Sequence, residues 1–146
     1  MKKITASVHY DIAPSWAILE RKLIDLMDQA AHPYAAKYAN ADGSLKWADT
    51  WSGSRDGMDD FYEAFHNFSQ LYSLGGGDHL LEMADRHWDG ITRQLTKFGR
   101  IHKEYERGYD QFHQCESYIC FYHLCLADPK NEKLVDRARR FAGFFM

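Results

Sequence analysis

Between Trp47 and Gly77 the chain reads WADTWSGSRDGMDDFYEAFHNFSQLYSLGGG, and this stretch limits the possible folds most severely. Its apolar residues Phe61, Tyr62, Phe65, Phe68, Leu71, Tyr72 and Leu74 fall on every side of a 3.6-residue wheel, so the helix they form should be enclosed by others. Its polar residues crowd at the approach to that helix, which marks its N-terminal end as a candidate site. The Gly75-Gly76-Gly77 run ends the helix by supplying positive φ.

The neighbouring segments supply the enclosure. Residues 1–12 read as an extended arm, with Ile4, Ala6, Val8 and Tyr10 alternating, and helical hairpins occupy 13–146. Pro14 and Ser15 open a first helix, with Ser15 as its cap and a stripe of Trp16, Leu19, Leu23, Leu26, Ala30 and Tyr34. Pro33 should kink or end it. Asp78 caps a third helix with Leu80, Ala84, His87, Ile91, Leu95 and Phe98 on one face, and Gly99 stops it. A fourth begins near Tyr109 and runs through the apolar YICFYHLCLA to Asp128-Pro129. A strand would read similarly, but the length back to Tyr109 favours a buried helix. The fifth starts near Asn131 and sets Leu134, Ala138, Phe141, Ala142 and Phe145 against Lys133, Asp136, Arg137, Arg139 and Arg140.

Helices one, three and five are thus amphipathic, and two and four are apolar nearly all round, a two-layer pattern. A weak repeat about 51 residues long supports it: Gly57, Asp59 and Phe61 recur as Gly108, Asp110 and Phe112, and Asp85-Arg86 as Asp136-Arg137. Repeated outer-inner hairpins are how a helical solenoid or closed toroid is written. The expected class is all-α, with about five helices forming antiparallel hairpins of an (α/α) toroid. A closed six-hairpin toroid needs twelve helices, so this one would be incomplete: either the remainder of a longer chain completes it, or copies associate as a homo-oligomer.

Composition narrows the function. A formal charge of −3 and dispersed basic residues argue against nucleic acid and anionic membranes. No segment is long and apolar enough to span a bilayer, and no signal-peptide core follows Lys2-Lys3, which points to the cytoplasm. The three cysteines, Cys115, Cys120 and Cys125, lack a CxxC pair and read as small core residues. Glu63-Ala-Phe-His66 has the Glu-x-x-His step of di-iron bundles, but His113-Gln-Cys-Glu116 runs in the opposite order, so no metal or other cofactor is expected.

If helices two and four are parallel, their N-termini open on one end. The first brings Trp51, Arg55, Asp56, Asp59, Asp60 and Glu63. The second brings Tyr105, Arg107, Tyr109, Asp110, His113 and Glu116. Carboxylates spaced three or four apart resist joint ionisation, which raises one pKa towards that of a general acid. Rings beside carboxylates suit a sugar, and Arg pairs with a uronate. The competing explanation is that the Asp cluster stabilises a helix N-terminus while the rings are core.

The runs DGMDDFYEAFHNFSQLYSLGG, ITRQLTKFG and GYDQFHQCESYICFYHLCLADP resemble the hairpins of (α/α)-toroid carbohydrate-active enzymes, nearest to unsaturated glucuronyl hydrolases and glucuronidases. The former carry a catalytic Asp, an Asn four residues on and a Tyr nine residues on. Here that spacing reads Glu63, Asn67 and Tyr72, with Glu in place of Asp. The resemblance implies a glycosidase acting on uronic-acid-containing oligosaccharides. Glu63 with Asp60 or Asp110 would be catalytic, and Trp51, Arg55, Asp56, Asp59, Arg107, Tyr109, His113 and Glu116 would bind substrate. The alternative is a non-catalytic helical domain that self-associates or binds a partner.

Overall fold

The computed structural model describes residues 11–47, 59–99, 101–102, 105–106 and 111–144, without the side chains of Asp59, of 101–115 and of Phe144. The chain is all-α. The described residues form six helices, α1 (Ser15–Tyr38), α2 (Asp59–Glu63), α3 (Asn67–Ser73), α4 (Asp78–Lys97), α5 (Gln111–Ala127) and α6 (Glu132–Phe144). Between α4 and α5 two short strands, β1 (Ile101–His102) and β2 (Tyr105–Glu106), pair antiparallel.

The core forms where α3, α4 and α5 meet, with α2 and α6 closing its sides. Leu80, Ala84, His87, Ile91 and Leu95 of α4 are all buried, and so are Leu134 and Phe141 of α6. These are the positions that amphipathic periodicity brings onto one face. Aromatic rings fill the centre: Tyr62 stacks on Trp88 with centroids 4.0 Å apart, Trp88 meets Phe121 at 5.0 Å, and Phe121 meets Phe141 edge-on at 4.6 Å. The Tyr62 hydroxyl is satisfied within this core by the Thr92 hydroxyl at 2.8 Å.

The expected second helix is two helices. Residues 64–66 form a turn between α2 and α3, held by bonds from Phe65 N to the Tyr62 carbonyl (3.3 Å) and from Phe68 N to the Phe65 carbonyl (3.2 Å). His66 Nδ1 lies 3.0 Å from the Glu63 carbonyl, the acceptor that a continuous helix would offer to Asn67, so the side chain competes with the backbone. Helix α1 departs the other way and continues through Pro33 to Tyr38. The carbonyl deprived of a partner by Pro33 belongs to Gln29, an exposed residue, so the helix tolerates the proline without burying an unpaired acceptor.

Two expected caps are also displaced. Pro14, not Ser15, is the N-cap of α1, its carbonyl accepting from Ala17 N and Ile18 N. Gly77, not Asp78, is the N-cap of α4, and Asp78 stands in the first turn, where its charge favours the helix dipole. Gly75 and Gly99 adopt φ of 100° and 74°, as the glycine stops require.

Helix α1 holds the protein with the face opposite to the one its stripe predicts. At 100° per residue, Arg21, Ile24, Asp28, Ala31 and Ala35 share one side. Arg21 Nη1 donates to the Gly75 carbonyl at 2.9 Å, and Asp28 Oδ2 accepts from Gly77 N at 3.1 Å. Asp28 Oδ1 stands 2.7 Å from His79 Nε2, and the His79 ring stacks on His32 at 4.7 Å. Ala31 and Ala35 are the only buried residues of the helix. Trp16, Leu19, Leu23 and Leu26 are 65%, 64%, 57% and 52% exposed. A smaller apolar strip, Ile119, Tyr122 and Leu126, is exposed on α5, which was expected to be enclosed all round.

Candidate functional site

The acidic constellation is only partly within the described residues. Trp51, Arg55, Asp56, Arg107, Tyr109 and Asp110 lie outside them, and so do Gly57 and Gly108 of the repeat. Asp59 and His113 are placed in α2 and α5 by their backbone alone. Asp60 is half-buried at the start of α2, Glu116 is half-buried in the second turn of α5, and Glu63 is exposed at the end of α2. The two helices that carry them are neighbours, and Gln70 Nε2 of α3 reaches His123 Nδ1 of α5 at 2.9 Å.

Glu63 and Asn67 line the same groove. It measures about 350 Å³ and lies between α1 and the α2–α3 pair, with Met27, Ala30 and Tyr34 on one wall and Phe68 and Leu71 on the other. Tyr34 is fixed from three directions. Its hydroxyl donates to the Ala64 carbonyl at 3.3 Å, and its ring meets Phe65 at 5.6 Å and Phe68 at 6.3 Å, both edge-on. The groove is therefore apolar on its sides, with one carboxylate and one amide at its rim. Tyr72, the third member of the spacing that resembles the glucuronyl hydrolases, is not among its lining residues.

The profile of a domain of unknown function, DUF8034, matches residues 3–146. The chain belongs to the DUF8034 family. Neither curated proteins nor solved structures yield a significant match.

Within this DUF8034 chain the Glu63-x-x-His66 step does not converge on a common point. His66 directs Nδ1 to the backbone of its own turn. Among the described residues no group of three or more His, Cys, Asp or Glu is placed to hold a metal ion, and no helix is long and apolar enough to cross a membrane. The Cys125 thiol is pushed up to about 11, chiefly by burial, which leaves little thiolate for nucleophilic chemistry near neutral pH.

The most extensive unsatisfied feature is the bare face of α1, whose Met27, Ala30 and Tyr34 also wall the groove. Its stripe was legible as a pattern. That it faces outward depends on Arg21 and Asp28 meeting the Gly75–Gly77 turn, contacts that span 54 and 49 residues and leave no local signal.

Proposed function

We propose that this DUF8034 chain is a non-catalytic helical assembly domain that works by self-association through the outward face of α1. One observation carries the reading: α1 binds its own protein through Arg21, Asp28, two alanines and, near its end, Tyr34, and leaves Trp16, Leu19, Leu23, Leu26 and Met27 exposed along its outer face. Apolar side chains exposed singly are ordinary, but a contiguous patch on the order of 600 Å² is at the upper end for monomers. It also approaches the roughly 800 Å² that each partner contributes to a standard interface. A second copy fits the patch because the stripe carries no charge and repeats at the three- and four-residue steps of a helix-pairing seam. Thermal unfolding at two protein concentrations a hundredfold apart tests this. A self-associating chain melts higher at the greater concentration, and an unchanged midpoint would rule it out.

A second reading is favoured by the groove itself. Glu63 and Asn67 stand at the rim of a cavity walled by Tyr34 and Phe68, the combination of carboxylate, amide and ring that a sugar site uses. On this reading the chain is a toroid-type glycosidase acting on uronic-acid-containing oligosaccharides, with Glu63 as its acid or base. Substituting Glu63→Gln would then abolish hydrolysis of an unsaturated glucuronyl disaccharide while leaving the fold intact. Equal rates in both proteins would remove Glu63 from any mechanism.

A further inference from the structure

We infer that two copies pair their α1 helices antiparallel, and that Trp16 of each copy enters the Glu63–Asn67 groove of the other. The inference rests on the self-association reading and adds to it a direction, a register and an occupant for the groove.

The direction follows from side-chain size along the seam. Trp16, Leu19, Leu23, Leu26, Ala30 and Pro33 follow one another at steps of three and four, and the large residues lie at the N-terminal end while the small ones lie at the C-terminal end. A parallel pair would set Trp16 against Trp16 and Ala30 against Ala30, crowding one end and leaving the other hollow. An antiparallel pair sets Leu19 opposite Ala30, Leu23 opposite Leu26, and Trp16 opposite Pro33, so every layer joins large to small or like to like. The arrangement is two-fold symmetric, so each copy presents the same surface to the other and the assembly closes as a dimer.

The occupant follows from the groove's position. On the helical wheel, Trp16 leans to the same side of the seam as Met27 and Tyr34, the residues through which α1 walls the groove. Like sides of the seam face each other across an antiparallel pair. Trp16 of one copy, opposite Pro33, therefore meets the groove beside Tyr34 of the other. About 350 Å³ accommodates an indole, Phe68, Leu71 and Met27 match its apolar faces, and Glu63 and Asn67 at the rim offer oxygen acceptors to its N–H. Glu63, exposed and beside apolar walls, would then be an acceptor for a tryptophan and not a catalytic acid.

Engineered cysteines on the full chain test the register. The Leu19→Cys/Ala30→Cys double variant should form a covalent dimer on mild oxidation, while each single variant should stay at the wild-type background set by the native cysteines. Trp16→Ala should raise the dimer dissociation constant at least tenfold with an unchanged monomer circular dichroism spectrum, and Trp16→Phe should recover most of the loss. Cross-linking of Leu19→Cys alone would show a parallel pair and overturn the register. So would a double variant that fails to cross-link although the protein is a dimer by light scattering; self-association would then stand without this geometry. A protein that is monomeric by light scattering would overturn both.

Discussion

The imidazole of His87 donates its Nδ1 hydrogen to the carbonyl oxygen of Gly43 across 3.1 Å, and this bond ties the Asn40–Lys46 loop to the middle of α4. A carbonyl only accepts, so the proton is on Nδ1 and Nε2 carries a lone pair, buried and without a partner. The ring lies flat on Phe65, with centroids 3.8 Å apart, and is 1% exposed. Three further bonds fasten the same loop: Leu45 N to Gln94 Oε1, Gln94 Nε2 to the Leu45 carbonyl, and Arg93 Nη2 to the Asp42 carbonyl, at 2.9, 2.9 and 2.8 Å.

Acid should loosen this junction. Burial holds the His87 imidazole below its ordinary 6.5, the Gly43 bond opposes that shift, and the Arg86 charge adds to it. The unfolded chain takes up the proton near 6.5 and the folded chain only at lower pH. The His87 contribution is therefore complete above about 6.5 and is lost as pH falls from there, with a limiting slope of about 1.4 kcal/mol per pH unit. Denaturant melts between pH 7.5 and 5 should show the decline, and His87→Gln should flatten it while lowering stability at pH 7.5. An unchanged slope in the variant would assign the effect to other groups.

Asp89 is the hinge of the ion pairs between α4 and α6. Its carboxylate meets Arg137 Nη2 and Lys133 Nζ, each at 2.6 Å, and Lys133 also reaches Asp85 at 3.3 Å. Burial would raise its pKa, but the two cations outweigh burial and hold the carboxyl below 3.8. The stabilisation is present above about 3.8 and disappears as pH falls through the lowered value. Asp89→Asn should cost roughly 1–3 kcal/mol at neutral pH, because it leaves the buried Arg137 facing a neutral amide. Lys133 is half exposed, so Lys133→Ala should cost about 1 kcal/mol or less.

Glycine substitutions distinguish close approach from open space. At Gly43, with φ of 89°, a Cβ would stand 2.2 Å from the Arg86 carbonyl oxygen, and at Gly90 one would stand 2.3 Å from the Gly43 carbonyl carbon. Either alanine should displace the loop and cost more than about 2 kcal/mol. A Cβ at Gly143, inside α6, meets nothing within 4 Å, so Gly143→Ala should stabilise by about 0.5–1 kcal/mol. Urea midpoints for the three variants check the ordering.

Periodicity made most of the fold legible. The face of α4 from Leu80 to Leu95 and the Leu134 and Phe141 positions of α6 are buried as their spacing requires. The same spacing on α1 identified a stripe but not its direction, because an apolar face goes inward only if the protein has room for it. Here the polar side is the one that docks, through Arg21 and through Asp28 against Gly77 and His79. The break after Glu63 was hidden for a related reason: a single side-chain bond from His66 competes with the helix, and no residue there is a strong helix breaker.

The candidate site was legible only within one segment. Glu63 and Asn67, four residues apart, do share a groove, but its other wall comes from Met27, Ala30 and Tyr34, the nearest of them 29 residues before Glu63. Nothing near Glu63 announces Tyr34. The acidic and aromatic residues on either side of the expected cleft, Trp51 to Asp56 and Arg107 to Asp110, fall outside the described residues.

The most direct test of self-association through α1 is sedimentation velocity of the wild-type chain beside Leu23→Glu. Leu23 sits at the middle of the seam and is more than half exposed, so the substitution leaves the monomer's own core untouched. The wild type should sediment as a species of twice 17.1 kDa, and Leu23→Glu as a monomer with an unaltered circular dichroism spectrum. A wild-type chain that remains monomeric at high concentration, or a Leu23→Glu chain that dimerises as tightly as the wild type, would contradict the account.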